Sequence, residues 1–376
     1  MSPPHQQSGL DRLPFEIFNE ILSYSDFPTV KCLSLVNKLS RLRCLSVVFR
    51  SVHCSFSRDG LDGLRLISSS EDIRQHVVSV TYNVMDILDP RVVDFDKFHA
   101  QLYSRHSHSE EDTEHYYYSQ LCMDGFPEYE SHGGKDGFPE YESVYEVYKP
   151  IGDMQQAVLD ENLDREIFLV AIPRFTNLAG FTLRYNTLEV ERGYLHMLHW
   201  LRLKPGTSLE RHLNVVASAI RQARSQSISV RTVEFAGNND AGWKSADLFD
   251  SAESVHDIVA DAEVLRLLRA GGVMDLIFWS DGLASLKDLQ LCGLGLPRRA
   301  LGSFLEAHSS TLRTIRIHKV TVLAEMGSER LSLTPDLLRR MLKSLDIQAV
   351  NELCMYHRRR KPSKAMGTKI LLTKRA

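Results

Sequence analysis

Six short segments of this chain share one pattern of apolar residues. In each, an apolar residue is followed three positions later by a second and five positions later by a third. The last two positions are two residues apart, so their side chains share one face of a β-strand. Each segment therefore predicts a strand with one buried face. The segments are Phe49/Val52/Cys54, Val77/Val80/Tyr82, Leu178/Phe181/Leu183, Val230/Val233/Phe235, Leu286/Leu289/Leu291 and Leu312/Ile315/Ile317.

The spacing of these segments indicates a repeat. Their first residues are 28, 101, 52, 56 and 26 positions apart along the chain. Two of these gaps fit a unit of about 20–29 residues, and two others are about double that. Helical patterns lie between strands at Leu61 to Ile67 and Ala300 to Ala307. The pattern resembles a degenerate leucine-rich repeat, which implies an α/β fold built as an irregular curved solenoid. The alternative is a non-repeating α/β domain.

The N-terminal region carries a different, helical pattern. Pro14 can occupy a first helical turn, where its missing N–H costs nothing, and Glu16 lies near the positive end of that helix. A second proline, Pro28, restarts a helix with Val30, Leu33 and Val36 on its apolar side. The region therefore predicts a compact cluster of three helices. The apolar residues of the first helix recur at helical spacing: Phe15, Ile17, Phe18, Ile21 and Leu22.

Residues 10–45 resemble an F-box. The matching runs are Leu-Pro-x-Glu-Ile at 13–17, Glu-Ile-Leu-Ser-Tyr at 20–24 and Leu-x-Leu-Val-Asn-Lys at 33–38. Ser40 stands where members of the family usually carry an aromatic residue, so Leu39 or Leu42 would have to substitute for it. The alternative is an ordinary amphipathic helical hairpin. The resemblance implies binding to the Skp-type adaptor of a cullin–RING (SCF) ubiquitin ligase, through Leu13, Pro14, Ile17, Ile21, Leu22, Leu33 and Val36.

Size supports the expectation of a partner. About forty residues cannot bury enough apolar surface to be comfortably stable alone. Such a helical cluster therefore needs a neighbouring domain or another protein to cover its exposed apolar stripe.

The whole arrangement resembles the F-box proteins abundant in filamentous fungi. That resemblance implies a non-catalytic receptor, whose repeat region holds a protein substrate for ubiquitination. Two alternatives stay open: a scaffold that binds the adaptor without directing ubiquitination, and an enzyme that uses the α/β domain. We expect substrate contacts at polar positions beside the apolar ones, namely Arg184, Glu234, Gln290, Arg316 and His318.

The longest gap between strands contains an insertion. The segment is rich in Ser, His, Asp, Glu and Tyr, and the octad Asp-Gly-Phe-Pro-Glu-Tyr-Glu-Ser occurs twice, at 124–131 and 136–143. An identical duplication is expected where insertions cost little, so we expect an exposed and mostly disordered loop. The alternative is a docking segment that uses its tyrosines to bind a basic partner.

The sequence predicts neither a cofactor nor a metal site. His106, His108 and His115 lie among carboxylates but lack a recognised ligand spacing, and the six cysteines contain no C-x-x-C pair. Gly293 to Pro297 lacks the lysine and glycine spacing of a phosphate loop. We therefore expect reduced thiols and no catalytic residues.

Composition limits the remaining classes of function. A net charge of −3 gives no overall attraction to nucleic acid, and no apolar stretch has the length of a membrane span. We expect a cytoplasmic or nuclear protein. The basic run from His357 to Pro362 is either a solvated tail or a nuclear signal.

These observations predict six segments. In chain order they are a flexible N-terminus (1–9), the F-box (10–45), first leucine-rich units (46–104), the insertion (105–148), a leucine-rich receptor domain (149–348) and a basic tail (349–376).

Overall fold

The computed structural model describes residues 13–106, 141–186, 201, 205–237, 249–278, 283–323, 330–332, 352–356 and 367–371. These residues form a mixed α/β structure with twelve α-helices and two sheets. The helices are α1 Phe15–Tyr24, α2 Phe27–Ser34, α3 Lys38–Val48, α4 Arg58–Ser69, α5 Glu71–Arg74, α6 Phe95–His106, α7 Tyr141–Asp160, α8 Leu163–Ala171, α9 Pro205–Ser225, α10 Ala252–Val259, α11 Gly271–Phe278 and α12 Arg298–Ala307.

The larger sheet has nine strands within the described residues, in the order β1-β2-β3-β4-β5-β6-β8-β11-β12. The first eight are parallel to their neighbours, and β12 is antiparallel to β11. The order of the strands across this sheet therefore follows their order along the chain. The strands are β1 Ser51–Ser55, β2 Ser79–Val84, β3 Gly180–Tyr185, β4 Thr232–Gly237, β5 Val264–Leu268, β6 Asp288–Cys292, β8 Thr314–His318, β11 Glu352–Tyr356 and β12 Gly367–Leu371.

All six segments with the apolar pattern form strands of this sheet: β1, β2, β3, β4, β6 and β8. In each, the second and third apolar residues are at most 4% exposed, as Val52 and Cys54 are in β1. The residues between and beside them keep more contact with solvent in most strands, which gives the alternating burial of a strand with one covered face. The predicted helices at Leu61 to Ile67 and Ala300 to Ala307 are confirmed within α4 and α12.

The sequence pattern missed strand β5. Ala262, Leu265 and Leu267 follow the same spacing and are fully buried, but alanine in the first position is a weak apolar signal. This strand divides one of the two gaps that are about double the repeat length.

Within the described residues, no strand lies between β3 and β4 in the other doubled gap, because these two strands pair directly. A long helix, α9, accounts for 21 residues of that gap. Direct pairing of β2 with β3 shows, in agreement with the prediction, that no repeat strand was missed in the longest gap.

One hydrophobic core joins the buried face of the sheet to the helices. Side chains of α4, α8, α9, α10 and α12 pack with those of the strands, as Leu64, Phe168, Ile220, Ile258 and Leu305 do. The opposite face of β3, β4, β5, β6 and β8 carries mostly polar and partly exposed residues, together with Ala236, Val264 and Leu268. That face is the one available for contacts outside the core.

Three neighbouring strands of the larger sheet end in the same kind of backbone turn. The residue after β5, β6 and β8 has a positive φ: 54° at Arg269, 66° at Gly293 and 51° at Lys319. The Arg269 amide donates to the Cys292 carbonyl, and the Gly293 amide donates to that of His318. The turns therefore stack on one another. A buried apolar residue follows each turn, namely Ala270, Leu294 and Val320.

A second, smaller sheet follows these turns. It contains β7 Gly295–Pro297, β9 Thr321–Leu323 and β10 Arg330–Ser332, with β9 between the other two. Strands β11 and β12 both lie within residues 349–376, the segment interpreted as a basic tail. That segment therefore contributes two strands to the larger sheet, and its basic run at 357–362 lies outside the described residues.

The flanks of the insertion are folded. Helix α7 begins at Tyr141, crosses the boundary placed between residues 148 and 149, and buries Val144 and Tyr148 against Val92 and Phe98. The Tyr145 hydroxyl also donates to the Val93 carbonyl at 3.0 Å. Residues 107–140 lie outside the described part of the chain. We therefore place the end of the insertion near residue 140.

Among the described residues, no helix combines the length and apolar character needed to cross a bilayer.

Candidate protein-binding surfaces

The three N-terminal helices enclose a small core of their own. Phe18 and Leu22 from α1, Val30 from α2 and Cys44 from α3 are at most 3% exposed and pack together. The Arg43 guanidinium lies 5.3 Å from the centre of the Phe18 ring and donates to the Leu13 carbonyl at 2.9 Å. These contacts confirm the predicted cluster of three helices and fix the start of α1 against α3.

Local side-chain caps set the helix boundaries in this unit. The Asp26 carboxylate accepts from the Thr29 amide at 2.9 Å at the start of α2, and Asn37 accepts from the Ser40 amide at 2.8 Å at the start of α3. Hydrogen bonds from Thr29 lower the pKa of Asp26. Pro14 immediately precedes α1 rather than lying in its first turn, and its carbonyl accepts from the Phe18 amide.

The N-terminal unit leaves an unusual amount of apolar surface uncovered. Eleven large apolar side chains of the described residues are exposed, and nine of them lie between residues 15 and 42. The other two are Leu66 and Val170. We call the nine the N-terminal apolar surface: Phe15, Ile17, Ile21, Tyr24, Phe27, Leu35, Val36, Leu39 and Leu42, with exposures from 38% to 85%.

The structure divides the seven predicted adaptor-binding residues into two groups. Ile17, Ile21 and Val36 are 45%, 38% and 56% exposed. Pro14 is also exposed, and Leu13 is half-buried. Two residues belong to the core instead, because Leu22 is 3% exposed and Leu33 packs against the same cluster. Their expected contribution is therefore to hold the helices together.

Sequence reasoning missed several members of the surface. Tyr24, Phe27 and Leu35 are among its most exposed side chains, at 85%, 53% and 81%. They lie at a helix end, a helix start and a turn, where helical periodicity carries no information about burial. Ser40 is 2% exposed, whereas Leu39 and Leu42 beside it are exposed.

The polar face of the larger sheet brings together three of the five predicted substrate residues in an ordered row. The strand register places Glu234 beside Arg266, Arg266 beside Gln290, and Gln290 beside Arg316. Arg184 lies on the same face of β3, one row further toward the strand ends, and His318 lies in that second row on β8. The prediction omitted Arg266 because it omitted β5.

Two ion pairs stabilise this row. Arg266 Nη1 lies 3.6 Å from Glu234 Oε2, and Arg316 Nη1 lies 2.5 Å from Asp288 Oδ2. Asp288 is two residues before Gln290 on β6 and faces the same side of the sheet. We call these five residues the polar strip: Glu234, Arg266, Asp288, Gln290 and Arg316. Its four formal charges cancel.

The face differs on the other side of β4. There the same row as the polar strip holds Thr182 of β3, Thr81 of β2 and His53 of β1. Ser79 and Gly180 stand one row earlier. On these three strands Arg184 carries the one formal charge of this face, and the four of the polar strip lie on β4, β5, β6 and β8.

A buried polar network lies on the opposite, core side. His212 Nε2 donates to the Met85 carbonyl at 3.2 Å, and its Nδ1 lies 3.5 Å from the Tyr82 hydroxyl, from which it can accept. Burial lowers the pKa of His212 to about 4, although Asp164 opposes the shift. Arg211 contacts the buried Asp164 carboxylate at 2.7 Å. Because His212 is fully buried and held by the protein itself, this network is best explained as structural.

The described residues contain no group of three or more potential ligands placed to bind a metal ion. His108 and His115 lie outside the described residues. Burial raises the pKa of the Cys54 thiol to about 12, which makes it a poor nucleophile.

Comparison with protein-family models, curated proteins and solved structures found no match to this chain.

Proposed function

We propose that this protein is a substrate receptor of the F-box type. Its N-terminal helices would bind the Skp-type adaptor of a cullin–RING ubiquitin ligase, and its later α/β region would hold a protein substrate. The chain itself would be non-catalytic and would act in the cytoplasm or the nucleus. The observation that carries the proposal is the N-terminal apolar surface on a three-helix unit.

The energetics of that unit support a protein partner. A core of four buried side chains stabilises little, since small domains bury too small a share of their surface. Nine exposed large apolar residues add a further cost in water. A partner that covers them would remove that cost. The F-box resemblance of residues 10–45 implies that this partner is the adaptor.

The arrangement of the α/β region supports a receptor built from repeats, in the manner of a leucine-rich solenoid. Consecutive parallel neighbours and the stacked turns after β5, β6 and β8 are what repeated units produce. Such an array leaves a broad polar face, formed by several strands, that suits protein binding. Substrate contacts would then fall on Arg184, Glu234, Gln290, Arg316 and His318.

Co-purification of the tagged full chain tests the proposal. Recovery of the adaptor together with the cullin is the expected result. Recovery of the adaptor without the cullin would favour the second candidate, a scaffold that directs no ubiquitination. Failure to recover the adaptor would contradict both. Replacing Leu13 and Pro14 by alanine together should reduce recovery of the adaptor, because the half-buried Leu13 and the exposed Pro14 immediately precede α1, beside the N-terminal apolar surface.

A further inference from the structure

A cleft of about 500 Å³ lies between the start of α8 and the neighbouring helix α9. Asn162 and Arg165 line it from the α8 side. The lining positions of α9 run from Thr207 to Ser218 at helical spacing, so they share one stripe of that helix. A volume of this size is typical of clefts that bind small molecules. The cleft lies on the helical side of the larger sheet, opposite the face that carries the polar strip.

Arg211 links the two sides of the cleft and keeps part of its guanidinium available. Its Nε and Nη2 donate to the buried Asp164 carboxylate at 3.2 and 2.7 Å, and Nη2 also donates to Asn162 Oδ1 at 3.3 Å. Nη1 has no hydrogen-bond partner among the described residues. The Arg211 side chain is 28% exposed, and Nη1 keeps contact with solvent. Its two N–H groups can therefore reach a ligand in the cleft.

The amide groups of the cleft also present donors. Asn162 Oδ1 accepts from Arg211, and Asn214 Oδ1 accepts from Ser254 Oγ. Each oxygen thus has a partner within the protein, whereas each amide nitrogen still carries two N–H donors for other groups. Both asparagines are exposed. The cleft therefore offers a ligand mostly hydrogen-bond donors.

The charged side chains of the cleft differ in how they are compensated. The charge of Arg211 is balanced by Asp164, which is fully buried. Arg165 is exposed and forms no ion pair with another described residue, so its guanidinium has no fixed counterion. Glu210 also lines the cleft without an ion pair to a described residue, and its carboxylate weakens the binding of any anion near it. A negatively charged ligand that accepts hydrogen bonds matches the donors, at an affinity that Glu210 limits.

We propose that this cleft binds the oxyanion of a small molecule, which is a phosphate or a carboxylate group. Arg165 and Arg211 Nη1 supply charge-assisted donors, which form the stronger hydrogen bonds to an anion. The amide nitrogens of Asn162 and Asn214 supply neutral donors. The bound anion joins α8 to α9. This site belongs to the α/β region alone and does not depend on the proposed function.

Thermal unfolding of the full chain, titrated with inorganic phosphate or with succinate, tests the inference. Sodium chloride at matched ionic strength separates specific binding from screening. At least one of the two anions should raise the melting temperature in a saturable way, because a ligand that binds only the folded chain stabilises it. The more effective anion identifies the oxyanion as phosphate or carboxylate. No saturable rise with either anion overturns the inference.

Three variants assign the effect to the cleft. Arg165→Gln should raise the dissociation constant of the anion about tenfold, the effect of one lost charge-assisted hydrogen bond. Glu210→Gln should lower it about threefold, because it removes a nearby like charge. Arg174→Gln is the matched control, because Arg174 is also exposed and lies just after α8, but outside the cleft. Its dissociation constant should equal that of the parent.

The three variants should unfold at similar temperatures without added anion, because none of the replaced side chains forms an ion pair with another described residue. A shift in the dissociation constant then reports binding rather than folding. The inference is overturned if Arg165→Gln and Arg174→Gln bind the anion equally well. It is also overturned if Glu210→Gln does not bind the anion more tightly than the parent chain.

Discussion

At the scale of single residues, His212 shows how the core accommodates a polar group. Its ring packs edge-on against the rings of Phe56 and Tyr82, with ring centroids 4.7 Å and 5.8 Å apart. The Met85 carbonyl contacts its Nε2, so one ring nitrogen is satisfied without a charge. The groups that face it electrostatically are Asp164, which favours the charged form, and Arg211, which opposes it. Burial outweighs both and keeps the ring neutral.

This environment predicts a loss of stability in mild acid. The pKa of His212 is about 4 in the folded chain and 6.5 without its environment. Between these values the unfolded chain binds a proton that the folded chain does not, so lowering the pH favours unfolding. From about pH 7 to pH 5 this effect should remove about 2 kcal/mol from the free energy of unfolding.

Denaturant unfolding at the two pH values, with His212→Gln as the reference, isolates this effect from other titrating groups. The variant should show a pH dependence smaller by that amount. Equal pH dependence in both proteins would mean that His212 is protonated or accessible in the folded chain.

At the scale of elements, two glycines of α4 provide a matched pair. A Cβ at Gly60 would lie 2.5–2.7 Å from Ser55 atoms of β1, including its backbone nitrogen and oxygen, whereas a Cβ at Gly63 would meet nothing within 4 Å. Gly60 is therefore needed for close packing of α4 on β1. Gly63 has no such packing role, and its low helix propensity only reduces the stability of α4.

Alanine substitutions should have opposite effects at these two positions. Gly60→Ala should destabilise the fold by about 1–3 kcal/mol, because the clash involves the backbone of an edge strand. Gly63→Ala should stabilise it by about 0.5–1 kcal/mol through helix propensity. Thermal unfolding of the two variants measures both. A neutral Gly60→Ala would show that α4 can move away from β1 at little cost.

The insertion and its flanks should respond differently to deletion. Replacing residues 107–140 by a short glycine-serine linker should leave the melting temperature within a few degrees of the parent, because Val92, Phe98, Val144 and Tyr148 all remain. Extending the deletion through residue 148 removes the buried side chains of Val144 and Tyr148 and should clearly lower the melting temperature. Similar melting temperatures for both deletions would contradict the packing of α7 against these residues.

The strands were predictable because burial of one sheet face forces a two-residue period. The same reasoning missed β5, because the alanine at position 262 is only weakly apolar. Without β5, the prediction could not include Arg266. The order of the charged residues in the polar strip depends on the register between strands that are far apart in sequence, as for Glu234 and Arg266. In the N-terminal unit, periodicity identified the helices but did not separate core Leu22 from exposed Ile17. That distinction requires the angles at which the helices pack.

At the scale of the whole molecule, the structure separates two kinds of surface. The N-terminal apolar surface lies on a small helical unit whose buried core is separate from the main one. The polar strip lies on the face of the sheet opposite the helices. An apolar surface suits a constant partner held by burial, and a polar one suits selection among partners. This division fits a receptor that joins a ligase to a substrate.

The decisive measurement is the affinity of the purified full chain for a purified Skp-type adaptor. Ile17 lies in the N-terminal apolar surface at 45% exposure, and Leu66 on α4 is 71% exposed outside it. Ile17→Lys should raise the dissociation constant about thirtyfold, which corresponds to a loss of about 2 kcal/mol of binding free energy for a central anchor. Leu66→Lys should leave it unchanged. Unaltered binding by a folded Ile17→Lys variant, or equal weakening by both variants, would contradict the account.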